Sequence, residues 1–363
     1  MFSRLTLLSA FLVTTGAAGQ AQATINQGPG SKVKAVPFYP EKAPELEGVL
    51  APNRLLQEAV KLGEGQLKKP EDVAIGPDGM IYTGSADGKI YRLAEDGYLE
   101  VYAETDGMPL GMDFAPSGEL IVCDTERGLL AVHPSGEVEV LSTEADGIPY
   151  GLVDDVKVSD SGIAYFSDAS SKFAFENFEY DILEARPNGR LLAFDLLTRD
   201  VEVVLDDLYF ANGVAVAADE SFVLVAETTR YQITRKWLQG ERAGEREILV
   251  DNLPGSPDGI SLSPAGDLLI AFYSPRSKTI DLVQKFAWLK NILARLPKSY
   301  LPKPESYGFV GRYNLQGEPL ATLHDPSGQV LANVTSVEEF AGRLYIGSLQ
   351  TDAVGVVAGP AED

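Results

Sequence analysis

The sequence predicts an all-β fold, a six-bladed β-propeller of four-stranded blades, and three observations carry that prediction. A block of short strands recurs six times along the chain. Each copy opens on a short apolar strand and then turns through Gly or Pro, and the copies are the size of propeller blades, ~40–50 residues.

The copies begin at Glu71-Asp72-Val73-Ala74-Ile75, Leu110-Gly111-Met112-Asp113-Phe114 and Asp154-Asp155-Val156-Lys157-Val158. They continue at Asn212-Gly213-Val214-Ala215-Val216, Asp258-Gly259-Ile260-Ser261-Leu262 and Thr335-Ser336-Val337-Glu338-Glu339. Turns such as Pro77-Asp78-Gly79, Pro116-Ser117-Gly118 and Pro264-Ala265-Gly266 lead into second strands, among them Leu120-Ile121-Val122 and Leu268-Leu269-Ile270. Short runs in period-2 alternation, bounded by Gly, Pro and Asp, read as antiparallel sheet. The starts lie 39, 44, 58, 46 and 77 residues apart, which places insertions in the third and fifth blades. Only two clear strands follow the sixth start. The outer strands of that blade are therefore expected from the N-terminal segment, around residues 33–65, closing the ring.

The first residues are organised differently. Met1 to Arg4 is a short basic start, Leu5 to Val13 is mostly apolar, and Ala21-Gln22-Ala23 is a small-x-small site. This is the layout of a secretory signal peptide over residues 1–23, leaving 24–363 as one propeller domain, secreted or periplasmic. The alternative, a retained anchor, needs ~20 apolar residues, and this run is shorter. The single cysteine, Cys123, excludes an internal disulfide and sits in the apolar run Leu120-Ile121-Val122, as a buried structural thiol would. Lys and Arg number 30 against 53 Asp and Glu, a net charge of −23 that disfavours nucleic acid and attracts cations.

In a propeller the first strand of each blade lines the central channel, so equivalent repeat positions face one another across it. The position two before each first apolar residue reads Glu71, Leu110, Asp154, Asn212, Asp258 and Thr335. Three carboxylates packed together in low dielectric call for a cation. Oxygen donors without Cys or His select Ca²⁺ or Mg²⁺ over zinc, and room for several ligands and water favours one Ca²⁺ held by Glu71, Asp154, Asn212 and Asp258. Asp and Asn are also ordinary turn residues before a strand, and only their recurrence at one repeat position favours the metal.

Both insertions fall after the second strand of their blades, which puts them on the face where the first strands begin, above the metal. The first, about residues 170–190, carries Phe173, Phe175, Phe178 and Tyr180. The second, about 275–308, is expected to hold one amphipathic helix over 279–298, with Leu282, Phe286, Leu289, Ile292, Leu293 and Leu296 at helical spacing. Lys285, Lys290, Arg295 and Lys298 give that helix a basic polar side. Such a helix serves as a lid, as a surface that touches membranes, or simply as packing on the rim. His133 precedes a hairpin between outer strands and reads as structural, whereas His324, at the connection into the sixth blade, is within reach of the channel mouth.

Several runs resemble the strictosidine synthase-like family, in particular its adipocyte plasma-membrane-associated subgroup. They are Tyr165-Phe166-Ser167-Asp168-Ala169-Ser170-Ser171-Lys172, Phe210-Ala211-Asn212-Gly213-Val214, Val225-Ala226-Glu227-Thr228-Thr229-Arg230, Asp251-Asn252-Leu253-Pro254-Gly255 and Leu323-His324-Asp325-Pro326. More distantly the chain is similar to paraoxonases and regucalcin-type gluconolactonases, all six-bladed propellers. The resemblance implies a channel calcium, and its ligand motif falls on Glu71, Asp154, Asn212 and Asp258, with Asp154 standing where relatives usually have Asn. It also marks departures. Leu110 stands where the paraoxonases have a catalytic His, and Thr335 where the plant synthases have the Glu that promotes amine–aldehyde condensation.

These readings converge on a calcium-dependent hydrolase of lactones or aryl esters, with Asp258 as catalytic base and a small hydrophobic substrate. Leu110, Thr335, Phe173 and Phe175 are expected to line the substrate pocket. A binding or scaffold propeller with structural calcium is the alternative that Leu110 and Thr335 favour. A synthase-type condensation is the third, and lacks its glutamate.

Overall fold

A computed structural model describes residues 29–359; the leader expected over 1–23 lies outside the described residues. Six four-stranded antiparallel sheets are formed, in the order the repeats predict. Their inner strands are Val73–Ile75, Pro109–Phe114, Val153–Val158, Ala211–Val216, Gly255–Leu262 and Val334–Phe340. Second strands such as Leu120–Asp124 and Phe222–Glu227 are buried on both faces, because each blade is sandwiched between its neighbours. The core therefore lies between the blades. Ile121 and Leu129 of the second blade meet Val156, Phe166 and Phe194 of the third, and Leu224 and Ile233 of the fourth meet Ile270 and Phe309 of the fifth. Cys123 belongs to the first of these clusters, fully buried as the sequence suggests.

The ring closes with less of the N-terminus than expected. The sixth blade takes three strands from the C-terminal end, Val334–Phe340, Arg343–Ser348 and Val354–Ala358. Only its outermost strand, Val60–Leu62, comes from the N-terminal segment, through the register Val60↔Val356. Residues 33–38 form no strand. They run instead as a strap across both insertions: Val36 N–H donates to Glu184 O at 3.1 Å and Phe38 N–H to Gln284 O at 2.9 Å. The Ala35 N–H also donates to Asn291 Oδ1 at 3.1 Å.

The third-blade insertion contains α1, Phe178–Glu184. The fifth-blade insertion holds two short helices rather than one, α2 (Lys278–Gln284) and α3 (Ala287–Leu293). The break falls at Phe286, whose extended backbone (φ −122°, ψ 91°) cannot continue a helix. Ser277 caps α2, its side chain accepting the Ile280 N–H.

Candidate functional site

Each inner strand from the second blade onward has a register shift where the repeat starts. The shifts lie between Pro109 and Met112, Val153 and Val156, Ala211 and Val214, Pro257 and Ile260, and Val334 and Ser336. A β-bulge places two residues opposite one and re-aims their side chains. Successive residues then serve different ends. The first of each pair faces the channel mouth, where Glu71, Leu110, Asp154, Asn212 and Asp258 line one cavity of about 540 Å³. The second reaches the next blade. Asp72 accepts the Met112 N–H at 2.8 Å, and Asp155 accepts the Val214 N–H at 2.7 Å. In the second and fourth blades this second position is glycine, because nothing larger fits: a Cβ on Gly111 would stand 2.5 Å from Asp155 Cα, and one on Gly213 2.4 Å from the Ile260 nitrogen.

The cavity has a polar and an apolar side. Glu71, Asp154, Asn212 and Asp258 retain only 5–7% of their exposure. Burial raises Glu71 and Asp154 well above the usual carboxylate range, and neighbouring carboxylates add to it: Asp154 acts on Glu71, and Asp258 on Asp154. Burial likewise pushes Asp258 up to about 8, partly offset by a hydrogen bond from the Asn212 side chain. Facing them are Leu152, Phe175, Phe178, Ile182 and Phe210, with Ile280, Val283 and Leu301 from the fifth-blade insertion. Phe210 is held at φ 59°, a strained conformation for an aromatic residue, directly before its inner strand.

Phe173 and Thr335, expected at the pocket, lie behind its wall. Phe173 is buried among Val33, Tyr180, Leu183 and Ala294, beneath the strap. Thr335 turns its hydroxyl to the Glu71 carbonyl at 2.6 Å and so joins the sixth blade to the first. His324 is also away from the cavity, stacked on Phe309 with its Nδ1 3.1 Å from the Tyr307 hydroxyl. His133 sits at its hairpin, 3.1 Å from Glu119. Sequence reasoning missed Tyr273 and Thr229, which line the cavity; the Thr229 hydroxyl is buried with no hydrogen-bond partner. Both lie outside the repeat start, so the repeat alignment carries no signal for them.

The oxygen-only donor set suits a hard cation by its chemistry. As the side chains stand, no three His, Cys, Asp or Glu among the described residues form a group that could hold an ion.

Two family models match the chain, strictosidine synthase over residues 154–241 and the N-terminal region of strictosidine synthase-like proteins over 48–93. Strictosidine synthase-like 4 of Arabidopsis thaliana is 36% identical over 305 residues, covering 82% of this chain and 81% of the relative. The chain belongs to the strictosidine synthase-like family. Within that family it is also 35% identical over 349 residues to the human adipocyte plasma membrane-associated protein, covering 88% of this chain and 82% of the relative. Solved structures extend the likeness of fold. A gluconolactonase from Xanthomonas campestris superimposes with a TM-score of 0.61 at 16% identity, over 90% of this chain and 97% of that one. A calcium-binding regucalcin from Agrobacterium tumefaciens gives 0.57 at 14%, over 85% and 95%. At such identities these two speak to the propeller alone.

Proposed function

We propose that this cavity is the active centre of a calcium-dependent hydrolase acting on small hydrophobic lactones or aryl esters. The observation that carries the proposal is one cavity lined by three buried carboxylates and Asn212 on one side and by an apolar wall on the other. Glu71, Asp154, Asn212 and Asp258 would hold the ion. When bound, calcium supplies Lewis-acid polarisation of a carbonyl oxygen. The chain's own residues do the rest. Phe175, Phe178 and Phe210 take up the hydrophobic part of the substrate and exclude water from it. The Asn212 side chain orients the Asp258 carboxylate, which takes the proton from the attacking water as general base and returns it to the leaving oxygen as the acyl C–O bond breaks. The gluconolactonase fold supports a lactone-type substrate, and the calcium-binding regucalcin fold a channel calcium, by analogy only. We place the protein outside the cytoplasm, after cleavage of the leader.

The test is hydrolysis of a panel of lactones and aryl esters by purified protein, with and without a chelator, beside Asp258→Asn. Activity lost on chelation, restored by Ca²⁺ and absent in the variant is the expected result. A melting temperature that falls on chelation while no substrate turns over would move the protein to a binding propeller with structural calcium, the reading favoured by the apolar Leu110 at the cavity wall.

A further inference from the structure

The fifth-blade insertion is amphipathic in the wrong sense for a water-facing lid. Leu282, Phe286, Trp288, Ile292, Leu296 and Tyr300 are all exposed, from 39% to 67%. They are six of the eighteen large exposed hydrophobics among the described residues, gathered in one short stretch. Meanwhile Lys290 on α3 is fully buried, its ammonium donating to Gln284 Oε1 at 2.8 Å. A solvated helix pair would do the reverse, so the outward face is built for an apolar neighbour.

Charge identifies that neighbour. From Lys278 to Lys303 the chain carries six Lys or Arg and one acid, Asp281, within a protein of net charge −23. Asp281 is paired with Arg276 and Lys298 with Glu179, both at 2.8 Å, while Lys278, Arg295 and Lys303 are exposed in the same stretch as the apolar row. Aromatic and aliphatic side chains ringed by basic ones match the boundary between headgroups and acyl chains of an anionic bilayer. A second copy docking face to face would bring two basic insertions together, which opposes that pairing. The same insertion lines the cavity through Ile280, Val283 and Leu301.

We propose that this face is a membrane-docking surface for bilayers containing anionic phospholipid, and that docking seats the cavity mouth against the lipid. It stands whichever reaction the cavity performs.

Mature protein, residues 24–363, is sedimented with vesicles of phosphatidylcholine, or of phosphatidylcholine and phosphatidylglycerol in equal parts. Stronger binding to the anionic vesicles is expected, falling roughly tenfold in Phe286→Asp/Ile292→Asp. Lys285→Glu/Arg295→Glu should lose only the anionic preference, and Leu197→Asp, at a 91% exposed site on the third blade, should change nothing. Trp288 reports the contact directly. In Trp237→Phe it is the one remaining tryptophan of the two in the sequence. Its emission should shift to the blue on anionic vesicles and be quenched by nitroxide-labelled lipid. Vesicle binding with an unmoved Trp288 spectrum would assign the contact to another segment and overturn the proposal. So would equal binding by Phe286→Asp/Ile292→Asp, or a dimer in solution that this variant dissolves.

Discussion

The two ends of the channel use the same residue types for opposite purposes. Glu71 and Asp154 face the cavity, and burial and mutual repulsion hold their carboxyls well above the usual range. Their immediate successors, Asp72 and Asp155, face the neighbouring blades and accept backbone N–H groups. Asp113 does the same for Val158 at 2.8 Å, with Lys157 nearby at 3.6 Å. Burial raises Asp72 and Asp155 as well, but the backbone N–H groups they accept partly offset the rise, and removing a member leaves a donor unpaired. In the upper set the Asn212 side chain hydrogen-bonds Asp258, while burial and neighbouring carboxylates dominate at Glu71 and Asp154. Buried charge without a partner costs stability and persists where function needs it.

Substitutions at the two ends should therefore differ in sign. The largest expected loss is at Asp155→Ala, which strips the acceptor from the Val214 and Val156 N–H groups, at 2.7 and 2.8 Å. About 3 kcal/mol of unfolding free energy should disappear in urea titrations, and Asp155→Asn, which keeps an acceptor, should lose less. Gly213→Ala should cost about 2 kcal/mol by the same measurement, because its Cβ would collide with the backbone of the fifth blade. With a chelator present, Glu71→Gln should instead raise stability by about 1 kcal/mol, by removing one of the mutually repelling charges. A loss there would break the distinction between the two ends.

Asp181 on α1 is an intermediate case. Its Oδ2 accepts from Ser170 at 2.5 Å and Asn188 at 2.8 Å, while its buried Oδ1 has no partner. Burial pushes its carboxyl up to about 7 from 3.8, so the folded protein holds this proton more tightly than the unfolded chain. Its contribution to stability is then present below about pH 4 and is lost as the pH rises towards 7. Asp181→Asn should be more stable than the parent at pH 8, and the gain should vanish near pH 4. Thermal unfolding of both proteins across that range checks the sign.

The repeat made the blades legible because each opens on the same alternation of apolar residues and turn. It also brought Glu71, Leu110, Asp154, Asn212 and Asp258 to one position, and the structure lines them around one cavity. Other features leave no comparable trace. Val354–Ala358 carries no repeat start, so the sixth blade looked two strands short, and the strap over 33–38 has no periodicity of its own. Phe173 and Phe175 are alike in composition and differ only in which side of the cavity wall they occupy. Helical spacing identified an apolar stripe over 279–298 but not its direction: part of it points outward, while Lys290, assigned to the basic side, points in. The bulges were hidden for the same reason. Alternation specifies faces within a regular strand, and a bulge is a local departure from it.

The upper carboxylates are proposed to form a cation site and the lower ones a structural brace. Calorimetric titration of Ca²⁺ into chelator-treated protein, beside Asp154→Asn and Asp155→Asn, tests it most directly. One ion per chain, lost in Asp154→Asn and retained in Asp155→Asn, is the predicted result. No binding by the parent protein, or binding that survives Asp154→Asn and fails in Asp155→Asn, would contradict it.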